Sequence, residues 1–229
     1  MVIFLKILFL LLAYLIGSIP FGFIFGKMNG IDIREVGSKN IGATNTGRAL
    51  GFKYAVLTYL CDMLKGAIIV FLFRFQIIPE TYCVINPMIY GLLAVLGHTF
   101  PIYLKFKGGK SVACGSGVLG AYCPVLLPIA IVIFTIVVLI SKYVSLGSLL
   151  GALVMFIGTI ITVALFGQFN FDNFNPDGTL YAYNLYFIIF SFVIMMIIYI
   201  KHSSNIKRIF TGTERKVNLF KNKAKKNDD

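Results

Sequence analysis

Residues 37–48 read Gly-Ser-Lys-Asn-Ile-Gly-Ala-Thr-Asn-Thr-Gly-Arg. This stretch has no apolar period and is dense in amides, hydroxyls and cations. Such a segment is either connector or the wall of a polar site, and its chemistry favours the site. Ser38, Asn40, Thr44 and Asn45 offer groups that fix orientation, and Arg48 can hold a phosphate through two parallel hydrogen bonds. A second cluster, 105–110, places three cations in six residues. Lys107 and Lys110 supply full charges, and the backbone of Gly108 and Gly109 can cradle an anion. A helix beginning near Val112 adds the partial positive charge of its N-terminus. In a third cluster, 202–216, His202, Asn205 and Arg208 recur every three residues and share one helix face.

Together these are the parts of an anion site. Several known chemistries are excluded. A Walker A loop ending at Gly109-Lys110-Ser111 needs glycine at position 104, which is Leu104. The acyltransferase pattern His-x4-Asp is absent, because Tyr103 follows His98 and Lys207 follows His202 at that spacing. No HExxH zinc motif or GxSxG elbow occurs. The cysteines, Cys61, Cys83, Cys114 and Cys123, lie in or beside apolar runs without a CxxC pair, so buried free thiols are expected and no metal.

The elements that position these clusters are membrane helices. Of 229 residues 58% are hydrophobic and 13% charged, about half the charged share of a soluble domain. The net charge of +12 follows the positive-inside rule and does not call for nucleic acid. Spans are expected at 2–25, 54–75, 84–104, 145–166 and 181–200. Gly17, Ser18 and Pro20 should kink the first, which is read as a retained helix. The second carries Asp62 and Lys65 on one face, either a structural pair or part of the site. His98 is read as a structural histidine at a helix end, with a catalytic role open.

Residues 112–140 form a nearly uncharged run of 29 residues, about 43 Å as one helix against a hydrocarbon core of ~30 Å. A single crossing would put the C-terminal tail, with nine Lys/Arg between 201 and 226, outside, and the acidic 167–180 segment inside. Both placements break the charge rule. A pair of short helices broken near Cys123-Pro124 satisfies it. The fold predicted is an all-α polytopic membrane protein of seven transmembrane helices including this short broken pair, N-terminus out and C-terminus in. Residues 1–216 form one domain and 217–229 a basic cytoplasmic tail, whose lysines at 221–226 sit near anionic lipid. All three polar clusters then share the cytoplasmic face.

Three ordered motifs resemble the bacterial acyl-phosphate:glycerol-3-phosphate acyltransferases of the PlsY type. They are Gly37-Ser38-x-Asn40-x-Gly42-Ala43-Thr44-Asn45-x-x-Arg48; Gly97-His98-x-x-Pro101 with Phe106-Lys107-Gly108-Gly109-Lys110-x-Val112-Ala113; and His202-x-x-Asn205-Ile206-x-Arg208 with Gly212-Thr213-Glu214. Gly17-Ser18-Ile19-Pro20 and Asp62-x-x-Lys65-Gly66 are similar too, so the resemblance runs from the first helix to about Lys216. It implies transfer of a fatty acyl group from acyl phosphate to the 1-hydroxyl of glycerol 3-phosphate, giving lysophosphatidic acid for phospholipid synthesis. It implies catalytic or binding roles for Ser38, Arg48, Lys110, His202 and Asn205, beside the binding candidates Asn40, Thr44, Asn45, Lys107, Gly108, Gly109 and Arg208. No cofactor is expected, and a monomer in the bacterial cell membrane should suffice. Three residues depart from the family: Lys39 and Ser111 stand where glycine is usual, and Cys114 where threonine is expected. The proton acceptor stays open between His202 and the donor's phosphate. Two other readings stay open, a transporter of an organic phosphate and an acyltransferase using an acyl thioester.

Overall fold

The first apolar segment bends where its proline falls. In the computed structural model, which describes residues 1–166 and 180–217, α1 (Val2–Ser18) and α2 (Phe21–Met28) meet at 42°. Pro20 lacks an N–H and forces Ile19 out of helical geometry (φ −60°, ψ 116°). The remaining helices are α3 (Ala43–Leu50), α4 (Phe52–Arg74), α5 (Met88–Thr99), α6 (Val112–Tyr122), α7 (Leu126–Ser141), α8 (Val144–Phe166), α9 (Leu180–Lys201) and α10 (Ser203–Phe210). No strand occurs among the described residues. α4, α8 and α9 are each long and apolar enough to cross a membrane, and α1 with α2 gives a fourth such segment.

Two elements differ from expectation. The third helix is shorter than 84–104, because Pro87 starts α5 and Pro101 follows its end, leaving short 3-10 turns at 80–82 and 102–104. Half of the 37–48 segment is helix. Asn40 Oδ1 accepts the Gly42 N–H at 2.9 Å, a turn that leads into α3. α3 is polar, so no apolar period announces it.

The 112–140 run breaks at Cys123-Pro124, as its charge pattern requires. α6 starts beside Lys110. α7 is followed by Lys142, whose carbonyl accepts the Val217 N–H at 2.8 Å. Just beyond, Ser145 donates to Glu214 at 2.9 Å, and Asn205 joins Glu214 to Lys110. The pair therefore leaves one end of the bundle and returns to it. At the opposite end Arg74 donates to the Tyr122 carbonyl at 3.5 Å, and Asn86 to the Tyr122 hydroxyl at 3.3 Å.

Glycine permits the close crossings. A Cβ on Gly17 would strike the Ala94 backbone and one on Gly97 the Tyr14 carbonyl, so α1 and α5 touch backbone to backbone. Gly66 and Gly117 do the same between α4 and α6. Small residues at such crossings suit bundles in lipid, where van der Waals packing drives association. The main core gathers Val70, Val95, Val118, Met155 and Ile194. The acidic segment with Asp172 and Asp177 and the lysines of 221–226 lie outside the described residues.

Candidate active site

The first polar segment is folded by its own side chains. Asn45, 1% exposed, accepts the Ser38 N–H at 2.8 Å and donates to the Ile33 and Val36 carbonyls at 2.9 and 3.1 Å. Its amide is thus committed to holding the 33–38 turn. Asn40 is occupied in the turn before α3. The face of α3 left exposed carries Thr44 and Arg48, one turn apart. A small apolar cluster of Ile33, Ile41 and Leu104 anchors this segment to the loop preceding the second cluster. Lys27 and Arg34 close on Asp32, with Arg34 Nη2 2.6 Å from Oδ2, and brace its start.

The second and third clusters meet directly. Lys110 Nζ donates to Asn205 Oδ1, and Asn205 Nδ2 donates to Glu214 Oε1 at 2.7 Å. Glu214 Oε1 also receives Ser145, and Oε2 receives Arg208 Nε at 2.7 Å. His202, Asn205 and Arg208 do share a face: His202 immediately precedes α10, and its Nδ1 lies 2.8 Å from the Ile198 carbonyl. That contact fixes the proton on Nδ1 and leaves the Nε2 lone pair for another partner. Gly109 is needed for close approach, since a Cβ there would overlap His98 Nε2. Its N–H is bonded to the His98 carbonyl at 3.0 Å. Lys107 stays exposed on the same turn.

The electrostatics tie the clusters further. Burial pushes the Lys110 ammonium down to about 8, against Glu214, which supports the charge, while Arg208 and Arg48 oppose it. Burial and then Lys110 push His202 down to about 4, so it is neutral at neutral pH. Burial, and then Arg215, lower Arg48, while Glu214 supports its charge. Burial raises the Glu214 carboxyl, but hydrogen bonds from Asn205, Arg208 and Ser145 outweigh it and hold the group ionised. Arg48, Lys110, His202, Asn205, Arg208 and Glu214 thus form one electrostatic unit with an excess of positive charge. Among the described residues no His/Cys/Asp/Glu group is arranged to hold a metal.

A family model for glycerol-3-phosphate acyltransferase matches residues 7–212. The chain belongs to the glycerol-3-phosphate acyltransferase family, of the PlsY type. Glycerol-3-phosphate acyltransferase of Bacillus cytotoxicus is 38% identical over 220 residues, covering 95% of this chain and 98% of that protein. The enzyme of Staphylococcus aureus (strain JH9) is 41% identical over 216 residues, covering 92% and 97%. The crystal structure of PlsY (YgiH), an integral membrane glycerol 3-phosphate acyltransferase, in its glycerol 3-phosphate form superposes with a TM-score of 0.76 at 33% identity, covering 94% of this chain and 99% of that one. Its lysphosphatidic acid form gives 0.75 at 32%, covering 93% and 95%. This is a membrane acyltransferase.

Two residues of the cluster, Glu214 and Ser145, are not among the site residues expected from sequence. Glu214 stands in the third family motif and is the hub of the hydrogen bonds. Besides that motif, the sequence hints at it as a lone carboxylate among Lys207, Arg208, Arg215 and Lys216. Ser145 reaches the site only because α7 returns to this end. The two departures from family glycine, Lys39 and Ser111, both lie in left-handed backbone, at φ 59° and 61°. Glycine adopts that region without strain and other residues do not.

Proposed function

We propose that the protein transfers a fatty acyl group from acyl phosphate to the 1-hydroxyl of glycerol 3-phosphate, giving lysophosphatidic acid and inorganic phosphate. The observation that carries this reading is the meeting of Lys110, Asn205, Arg208 and Glu214 from segments 95 residues apart, with Arg48 in electrostatic reach. Both substrates bear phosphates, and the site offers several cations against one ionised carboxylate. The glycerol 3-phosphate and lysphosphatidic acid forms of the PlsY crystal structure support the same pair of ligands here.

In this reading an acyl phosphate is a mixed anhydride with a good leaving group, so no covalent enzyme intermediate is needed. The substrate hydroxyl oxygen bonds to the acyl carbon, and the bond from that carbon to the bridging oxygen breaks. The hydroxyl proton passes to a phosphate oxygen. Lys110, Arg48 and Arg208 hold the phosphates, and Ser38, Thr44 and Lys107 line the approach. Alignment of the two reactants supplies much of the acceleration, and the cations stabilise charge developing on the leaving phosphate. His202, neutral with Nδ1–H turned to Ile198, accepts from the substrate hydroxyl through Nε2 and orients it. A group with its pKa pushed to about 4 is a weak base near neutrality, which favours the donor's phosphate as proton acceptor. The acyl chain runs along α7, whose Ile129, Val132, Ile136 and Leu139 are exposed.

The topology proposed with this function is seven crossings, by α1 with α2, α4, α5, α6, α7, α8 and α9. The N-terminus lies outside the bacterial cell membrane, and the site and C-terminus lie on the cytoplasmic face. It is supported by the charge distribution and by the return of the α6–α7 pair to the end where it began. Residues 1–216 act as one domain, and a single chain supplies every group of the site, consistent with a working monomer. The test gives purified protein labelled glycerol 3-phosphate with acyl phosphate, acyl-CoA or acyl-carrier protein in parallel. Lysophosphatidate from acyl phosphate alone is expected; product from a thioester overturns the donor assignment, and no product with any donor favours transport.

A further inference from the structure

Beneath the turn at 108–110 lies a second charged cluster that the reaction leaves unused. Asp62 and Lys65 on α4 and His98 on α5 are 2%, 4% and 4% exposed. Buried ionisable groups are costly and call for a reason. Lys65 Nζ lies 2.7 Å from Asp62 Oδ1 and donates to the Ile19 carbonyl at 2.6 Å, where α1 breaks. A third group faces that pair: His98 Nδ1 is 3.5 Å from the same Asp62 oxygen, and beyond the Lys65 ion pair neither buried atom has a hydrogen-bond partner among the described residues.

The other edge of the His98 ring lies against the site. Nε2 occupies the space a Cβ on Gly109 would take, and the His98 carbonyl accepts the Gly109 N–H. A Cβ on Gly108 would strike the His98 and Thr99 carbonyls. On the far side of Lys110, Thr99 Oγ1 and Ser111 Oγ are 2.5 Å apart, and Ser111 also donates to the Val95 carbonyl at 3.2 Å. Both chain neighbours of Lys110 are therefore held by the last turn of α5.

We propose that Asp62 is a positioning residue: its carboxylate orients the His98 ring, and His98 with Thr99 clamps the backbone on both sides of Lys110, so that its ammonium is presented to Asn205 and to substrate. The inference rests on the role given to Lys110 above. A side chain set in this way must be held to fractions of an ångström, because small misplacements of a binding group cost large factors in rate.

The test compares purified full-length wild type with Asp62→Asn/Lys65→Gln, which removes both charges together and leaves no unpaired ion. His98→Asn, which keeps both charges, is the second variant, and Lys110→Ala the control. Tm, kcat, KM for glycerol 3-phosphate and the pH dependence of kcat/KM are measured on monodisperse protein. The charged and titratable groups facing Lys110 are Glu214, Arg208, Arg48 and His202, and none is altered. Both test variants should fold and lose roughly 30- to 100-fold in kcat/KM. Their basic limb should move to higher pH as Lys110 becomes less enclosed. Folded variants with wild-type kcat/KM and an unmoved limb, whatever their Tm, overturn the proposal. If the double variant does not fold, His98→Asn alone decides between these outcomes. An inactive wild type, or a fully active Lys110→Ala, overturns the parent reading and this one with it, a result distinct from failure of the positioning role alone.

Discussion

Lys110 should set the upper pH limit of the enzyme. Its ammonium is held near a pKa of about 8 by burial, with Arg208 and Arg48 adding to the shift and Glu214 opposing it. If the ammonium binds substrate phosphate, kcat/KM falls as pH rises through that value, because kcat/KM reports the free enzyme. Lys110→Arg keeps the charge at all accessible pH, so the limb near 8 should vanish even if misplacement lowers the plateau. Glu214→Gln should act in the opposite sense. The single amide bridging the two groups sets carboxylate and ammonium roughly 7 Å apart, the Glu214 side chain is only 6% exposed, and at an effective dielectric of about 20 the coupling is about 2.4 kcal/mol. Removing it should lower the limb by roughly 1.7 pH units, to near 6. The assay is initial-rate kcat/KM for glycerol 3-phosphate from pH 5.5 to 9.5 in a constant-ionic-strength buffer. A limb that persists near 8 in Lys110→Arg would refute the assignment, and so would one that rises in Glu214→Gln.

His202→Gln should lower kcat about tenfold without moving the pH profile, as expected of an orienting group and not of a base; a lost or shifted acid limb would make histidine the proton acceptor. Asn45→Ala leaves two backbone carbonyls and the Ser38 N–H without their partner, at ~1–3 kcal/mol for each buried group left unsatisfied. Tm and kcat/KM should fall together, read by thermal scanning and by rate. Lys39→Gly releases left-handed backbone worth roughly 1 kcal/mol and should raise Tm by about 2–4 °C with activity retained. Gly109→Ala places a Cβ on His98 Nε2 and should lower kcat/KM by about two orders of magnitude in protein that still purifies.

The sequence was legible where one physical rule dominates. Helices α4, α8 and α9 follow from the length of their apolar runs, and the break at Cys123-Pro124 follows from charge arithmetic. α3 was hidden because a short polar helix has no apolar period. α5 was overestimated because hydropathy continues through Pro87 and Pro101 while helical geometry does not. Asn45 illustrates a subtler limit: composition marks it as a polar group beside a site, but only the folded chain shows that its amide holds the turn beneath Ser38. The hub formed by Glu214 and Ser145 depends on a hydrogen bond spanning 69 residues, and spacing carries no signal at that range. The resemblance placed the three motifs in order, while the bundle determined which of their side chains touch.

The central claim is acyl transfer from a phosphate donor within one folded site. It is tested most directly by following the purified enzyme, acyl phosphate and glycerol 3-phosphate together by phosphorus NMR. Lysophosphatidate and inorganic phosphate should appear in equal amounts, with neither formed when glycerol 3-phosphate is omitted. Phosphate released without lysophosphatidate, or glycerol 3-phosphate crossing a sealed vesicle membrane unchanged, would contradict it.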